Sequence, residues 1–397
     1  MLGERLPAIT SLYVHVPFCA RKCEYCAFYS EASAGGLMGR YVSALARELQ
    51  WVAPELKPAT IFFGGGTPSL LNLRHWQKIF LAMQKLDLLG AQEFTIECNP
   101  ATVSLDKARL WRDYGVNRVS MGVQSFTPLL LERLGRIHTR KMAYHSYDVL
   151  RQGGFRNVNL DLMFAIPGQT MEMWRATLAE AIALRPEHLS CYELIYEEDT
   201  PMYEQMKAGK FSVDEDLACA MYEELLACAA QNGFEQYEVS NFARGHVTQH
   251  ATRNTSLSHH DIPALVCRHN VNYWRGVPYY GLGPGACSFV QRVRTQNVSN
   301  TRTYCSQIEN SERPIESRDE LPPLKRAGEL AAFGLRMNTG WPLAEFQQRT
   351  GYDLRVEWKN ECEQLIAQGW ACLDAERFHL TTKGMRFADA AGEMFLR

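Results

Sequence analysis

The chain has 397 residues, 46% of them apolar and 22% charged, and a formal net charge of −2. That length predicts one large domain plus a smaller one, and the near-neutral balance offers no basic face for nucleic acid. No run of 18 or more apolar residues occurs, so no transmembrane segment is expected. The opening residues, MLGERLPAIT, carry Glu4 and no apolar h-region, so no signal peptide is expected either. The expectation is a soluble cytoplasmic protein whose 12 cysteines are reduced.

Short apolar runs alternate with helical patterns from residue 11 to residue 240. SLYVHV (11–16) predicts a strand, followed by a cysteine loop and a helix over 37–51. TIFF (60–63) predicts a second strand, ending at Gly64-Gly65-Gly66-Thr67-Pro68, with a helix near 73–86. Strand 93–98 and helix 104–114 follow, then strand 118–123 and helix 141–152, strand 157–164 and helix 171–184, and strand 188–194. Nearly continuous apolar strands, each trailed by a helix, predict an α/β fold with a parallel sheet, here a full or partial barrel over 1–240. Residues 241–310 read as a connecting, β-rich segment. Within it, the polar stretch 245–266 carries four of the 11 histidines, His246, His250, His259 and His260. A solvated loop is the plain reading of that stretch, and ligation of a metal or heme iron the sharper one. Helical patterns at 324–337, 342–349 and 353–368, a β-like piece at 370–381 and a last helix at 382–394 predict a small winged-helix-like domain over 311–397. It has no cluster of Lys and Arg to contact phosphates, so it reads as a lid or a partner-docking module.

Cys19, Cys23 and Cys26 are spaced C-x3-C-x2-C. Three thiolates can hold three irons of a [4Fe–4S] cube and leave the fourth open for chemistry. A structural zinc site usually takes four ligands in two pairs, and no second C-x2-C pair exists in this chain. Cys98, Cys191, Cys219, Cys228, Cys287, Cys362 and Cys372 sit beside apolar residues, as buried free thiols do. The triple glycine lacks the Gly-Lys-Ser/Thr ending of a P-loop, but it offers bare backbone to a ligand, with the Thr67 hydroxyl beside it. Glu97 and Asp161 fall near strand ends as acceptors on one rim. Gln124 adds an amide there, and Arg136 a guanidinium suited to a carboxylate.

With these residues in view, the chain resembles the radical SAM superfamily and, within it, the coproporphyrinogen III oxidase-like branch. The resemblance runs through YVHVPFCARKCEYC (13–26), FFGGGTPS (62–69), ECNP (97–100), GVQSF (122–126), NLDLMFAIPGQT (159–170), HLSCYEL (188–194), YEVSNFA (237–243) and CRHNVNYW (267–274). It implies a partial (β/α)6-type barrel with a helical C-terminal domain. It also implies a [4Fe–4S] cluster held by Cys19, Cys23 and Cys26, with S-adenosylmethionine on the open iron as a source of the 5′-deoxyadenosyl radical. Tyr13, Tyr25, Gly65, Gly66, Thr67, Glu97, Gln124, Arg136 and Asp161 are the implied S-adenosylmethionine contacts.

The branch contains oxidases, which oxidatively decarboxylate two propionates of coproporphyrinogen III to vinyl groups, and heme chaperones, which bind heme and deliver it to heme-dependent proteins. The oxidases resemble C-x3-C-x2-C-x-C and have a longer arm ahead of the cluster, whereas here Phe28 takes the place of the last cysteine and 18 residues precede Cys19. His269-Asn270-Val271-Asn272-Tyr273-Trp274 matches the chaperones' H-N-x-x-Y-W motif. The resemblance thus implies heme as a ligand, His269 as its axial ligand, and Tyr273 and Trp274 against the macrocycle. Ala27 departs from the acidic residue that often follows the third cysteine, and the 245–266 stretch is a further departure. A heme-accepting protein is the implied partner, and both a homodimer and a peripheral membrane association are compatible with the resemblance.

Overall fold

The protein is described here by a computed structural model covering residues 8–32, 36–245 and 265–396. The predicted histidine cluster His246, His250, His259 and His260 lies outside the described residues. Two compact units emerge. One comprises 1–186, 193–214 and 278–320, and the other 187–192, 215–277 and 321–397.

The first unit is built on five parallel strands: β1 (Ile9–Val16), β2 (Leu56–Gly65), β3 (Glu93–Cys98), β4 (Arg118–Gln124) and β5 (Val158–Phe164). They stand side by side in chain order. Helices α1 (Leu37–Val52), α2 (Leu73–Lys85), α3 (Leu105–Asp113), α4 (Pro128–Arg133), α5 (Arg140–Gln152) and α6 (Met171–Ala183) occupy the connections. Four of them start at a side-chain cap, where Asn72, Ser104, Thr139 and Thr170 each accept a backbone N–H three residues on. Alternate strand residues such as Leu12, Val14, Ile61, Phe63, Ile96 and Met121 are fully buried. Trp76 fills the space over β2, its ring centroid 5.3 Å from Phe63 and 5.7 Å from Trp111. The other edge of β1 pairs in parallel with Tyr279–Leu282, and Cys287–Val290, Val293–Asn297 and Ile315–Asp319 extend it in antiparallel order. Among the described residues the sheet does not close on itself, so the fold is a partial barrel.

In the second unit, His188–Glu193, predicted as the sixth strand, pairs antiparallel with Asn241–Arg244, which in turn pairs with Phe234–Glu238. The C-terminal part is mostly helical with a small antiparallel sheet of Trp341–Pro342, Arg377–Leu380 and Ala371–Leu373. Its core gathers Trp341, Phe346, Trp358, Leu365, Phe378 and Phe395. The cysteine expectation holds in part. Cys98, Cys191 and Cys362 are buried and Cys219, Cys228 and Cys287 half-buried, but Cys372 is exposed. It sits on the short strand Ala371–Leu373, whose last two residues face solvent.

Candidate functional site

In a parallel sheet flanked by helices, the C-terminal strand ends form the rim where ligands bind. Pairing register sets the height of each residue there. His15 stands beside Gly64, Glu97 beside Ser120, Ser120 beside Asn159, and Gly122 beside Asp161.

The cysteine loop leaves β1 at this rim. Phe18–Cys19 pairs in parallel with Glu31–Ala32, closing the loop at its base. Its middle is held by Glu24 N–H donating to Leu134 O (3.1 Å) and Met202 N–H donating to Glu24 O (2.9 Å). The thiols of Cys19, Cys23 and Cys26 are free and partly exposed. The Thr67 hydroxyl lies 3.5 Å from Cys19 Sγ, and Arg136 Nη1 donates to Cys23 Sγ at 3.6 Å. Among the described residues, no three His, Cys, Asp or Glu side chains converge where a single metal ion could sit. A zinc site demands such convergence, whereas a cube takes each thiolate at its own iron. Three free thiols on one pinned loop, two of them facing donors that stabilise a thiolate, fit the cluster.

The triple glycine is a close crossing. Gly66 N–H donates to Val16 O (2.8 Å) and Thr67 N–H to Phe18 O (2.7 Å). A Cβ on Gly66 would lie 2.8 Å from Phe18 O and Val16 O, and one on Gly65 (φ +101°) would meet the His15 ring at 2.5 Å. The bare backbone that the sequence implied is therefore required by the packing. His15 Nε2–H donates to Tyr29 O (2.9 Å), which leaves Nδ1 to accept from the Tyr13 hydroxyl at 3.1 Å. Burial lowers the His15 pKa, in keeping with that neutral tautomer.

Asp161 accepts from Ser120 Oγ (3.2 Å) and from Asn159 Nδ2 (2.7 Å). Burial raises its pKa, opposed by the Arg118 charge and these donors. Glu97 accepts from Gly65 N–H (3.2 Å). Burial and then the neighbouring Asp161 charge push its carboxyl from 4.5 up to about 8. A carboxyl raised on folding makes the native state bind the extra proton, so this contribution is full below about 4.5 and is lost as pH rises through about 8. Melting temperatures of the ligand-free protein should therefore decline over that window, and Glu97→Gln should flatten the decline. Parallel profiles for the two proteins would exclude Glu97 as its source.

Gln124 is buried with φ +65°, just past a register shift in β4, and its amide reaches back over Gly122. Arg136 uses its fork on the protein itself: beside the Cys23 contact, Nη2 donates to Gly122 O (2.5 Å), while Nε is buried without a partner. Tyr25 packs among Leu130, Leu134, Met163, Ile166, Leu194 and Met202. His15, Ser120, Asn159 and Tyr29 join the site beyond the residues expected from sequence. Asn159 stands two residues before Asp161 on the same face of β5, a period-two signal that was available.

His269 is half-buried on the helix Arg268–Trp274 in the second unit. Tyr273 stacks on Phe333 (5.7 Å) yet stays 39% exposed. Trp274 meets the Tyr273 ring edge-on (5.3 Å), with the Arg336 guanidinium 4.8 Å from its centroid. An imidazole and the partly exposed Tyr273 ring fit a heme face, with the half-buried Trp274 ring beside them.

Fold and site together define a radical SAM protein. A family model described as the radical SAM superfamily matches residues 13–181, and one described as the HemN C-terminal domain matches 321–387. The chain is 32% identical over 388 residues to the heme chaperone HemW of Lactococcus lactis, with 97% of each chain covered. It is 33% identical over 397 residues to the heme chaperone HemW of Escherichia coli, with 99% of each covered. The solved coproporphyrinogen III oxidase HemN of Escherichia coli matches with a TM-score of 0.82 over 98% of this chain and 90% of that one, at 22% identity, a likeness of fold. The chain belongs to the HemW family of the radical SAM superfamily. No helix among the described residues is long and apolar enough to cross a membrane.

Proposed function

We propose that this protein binds heme and hands it to heme-dependent acceptor proteins, and that it carries a [4Fe–4S] cluster with S-adenosylmethionine. The observation that carries the reading is the similarity to heme chaperones along essentially the whole chain. Cys19, Cys23 and Cys26 would hold the cluster, which when bound supplies an iron open to S-adenosylmethionine and an electron for its cleavage. The remaining work falls to the chain. Arg136 donates to Cys23 Sγ and the Thr67 hydroxyl lies beside Cys19 Sγ, contacts that would tune and shield the ligating thiolates. Glu97 and Asp161 would be acceptors for the ammonium and ribose hydroxyls of S-adenosylmethionine, with the Gly65–Gly66 backbone beside them as a further contact. Tyr13, Tyr25 and Gln124 enclose it and exclude water. His269 would ligate heme iron, and Tyr273 would pack against the heme.

The second reading, a coproporphyrinogen III oxidase, draws on the fold likeness to HemN. Against it stands Phe28, which fills the place of the oxidases' further cysteine and is 68% exposed. Two assays on the reconstituted, reduced protein separate the readings. With S-adenosylmethionine and coproporphyrinogen III, mass analysis should find no decarboxylated product over many turnovers. Hemin should bind, and His269→Ala should remove the histidine-ligated absorption spectrum. Multiple-turnover product formation would make this protein an oxidase.

A further inference from the structure

The helix that carries His269 has only two turns, Arg268–Trp274, and no side-chain cap of its own. So short a segment gains little from its own hydrogen bonds, and its position must come from packing around it. The structure supplies that packing at both ends. At the start, Cys267 N–H donates to the Tyr237 hydroxyl (3.3 Å), and His188 Nε2 lies 2.9 Å from the same hydroxyl. Tyr237, His188 and Cys267 are all buried.

At the end of the helix the chain drives a cation into the C-terminal domain. Arg275, 5% exposed, donates from Nη1 to Gly340 O (2.8 Å) and from Nη2 to Thr339 Oγ1 (2.8 Å). Its guanidinium carbon stands 4.9 Å from the Trp341 ring centroid, within cation–π range. The backbone carbonyl of Arg275 accepts from Arg349 Nη1 (3.1 Å). Burial pushes the Arg275 pKa down to about 10, which leaves the group cationic at neutral pH. Gly276 follows at φ +63°, where a Cβ would strike Leu330 at 2.3 Å, so the turn itself is fitted to the helix Pro323–Leu335. Phe333 of that same helix carries the Tyr273 ring.

A buried arginine is costly unless its donors are met, and a surface helix of seven residues does not need one. Its partners come from the turn 339–341, so it ties the motif helix to the C-terminal fold. We infer that the C-terminal domain is the scaffold of the heme-ligating helix, and that Arg275 is the positioning residue through which it fixes the His269 imidazole. The inference rests on His269 being the heme ligand, and it gives the C-terminal domain a task within heme binding rather than that of a separate lid or docking module.

The test titrates the full chain with hemin, following the Soret band, with a thermal melt of each variant in parallel. Arg275→Met should weaken hemin binding about tenfold or more, as loss of an orienting partner does at metal sites, and should broaden the Soret band. Arg275→Lys keeps the charge but not the fork and should restore part of both. Thr339→Val removes one hydrogen bond and should cost roughly threefold in affinity. A folded Arg275→Met with wild-type affinity and Soret band overturns the inference. If Arg275→Met does not fold, unchanged hemin binding in both Arg275→Lys and Thr339→Val overturns it equally. His269→Ala separates the two levels. If it leaves spectrum and affinity intact, the heme-ligand reading fails and the inference falls with it. If it abolishes the histidine spectrum while the Arg275 variants change nothing, only the positioning role is lost.

Discussion

Cys23→Ala is expected to abolish assembly of the iron–sulfur cluster. Cys23 is the middle thiol of a loop whose backbone is pinned on both sides, by Leu134 O accepting from Glu24 N–H and by the Phe18–Cys19 pairing with Glu31–Ala32. Removing one of three ligands leaves two irons without a protein thiolate, and Cys98, buried in the core at the end of β3, is not placed to replace it. The substitution also takes away the sulfur to which Arg136 Nη1 donates, leaving a second guanidinium nitrogen unpaired next to the orphaned Nε. Iron and acid-labile sulfide per chain, with the visible absorption after anaerobic reconstitution, report the outcome. Cys19→Ala and Cys26→Ala should behave alike, and Cys362→Ala, in the core of the second unit, should keep its iron. Wild-type iron content in Cys23→Ala would remove the cluster assignment.

Trp341→Ala is expected to destabilise the second unit by about 3–5 kcal/mol, the range for truncating a large buried aromatic. The side chain is fully buried, its Nε1–H donates to Leu330 O (3.0 Å) and Ala331 O (3.2 Å), and Phe346 meets it edge-on at 5.4 Å. Gly334 exists for this ring, since a Cβ there would lie 2.0 Å from Nε1. The same ring carries the Arg275 guanidinium, so the truncation removes that contact as well. Urea unfolding followed by the remaining tryptophans measures the loss. A shift under 1 kcal/mol, the scale of a surface change, would contradict this packing account.

Much of this was legible from the residues alone. Five of the predicted strands start or end within a few residues of β1–β5, because parallel strands buried on both faces leave long apolar runs and their helices start at Ser, Thr or Asn caps. The rim residues were legible because strand ends, a triple glycine and a cysteine spacing are local signals. What lay beyond reach was contact between distant segments. Nothing in the run YYGL says that Tyr279–Leu282 pairs with β1, since its partner is far away in sequence and parallel pairing leaves no turn to mark it. The inward turn of the Arg136 fork and the buried course of Arg275 were hidden for the same reason. A guanidinium or an indole reads alike in sequence whether it faces solvent, a ligand or a neighbouring helix.

The first unit is sewn together from its two ends, and this bears on how the protein is made. The Tyr29 hydroxyl, just past the cysteine loop, accepts from Thr301 N–H (3.0 Å) and pairs with the Thr301 hydroxyl, 272 positions on. Glu48 in α1 accepts from Gly283 N–H (2.9 Å) and from the Tyr304 hydroxyl (2.6 Å). At roughly 5–20 residues per second of synthesis, the cysteine loop leaves the ribosome some tens of seconds before these partners exist. Its thiols spend that interval on an unfinished sheet with one edge of β1 open. The finished surroundings of the cysteine loop thus have to wait for translation of the Thr301 region.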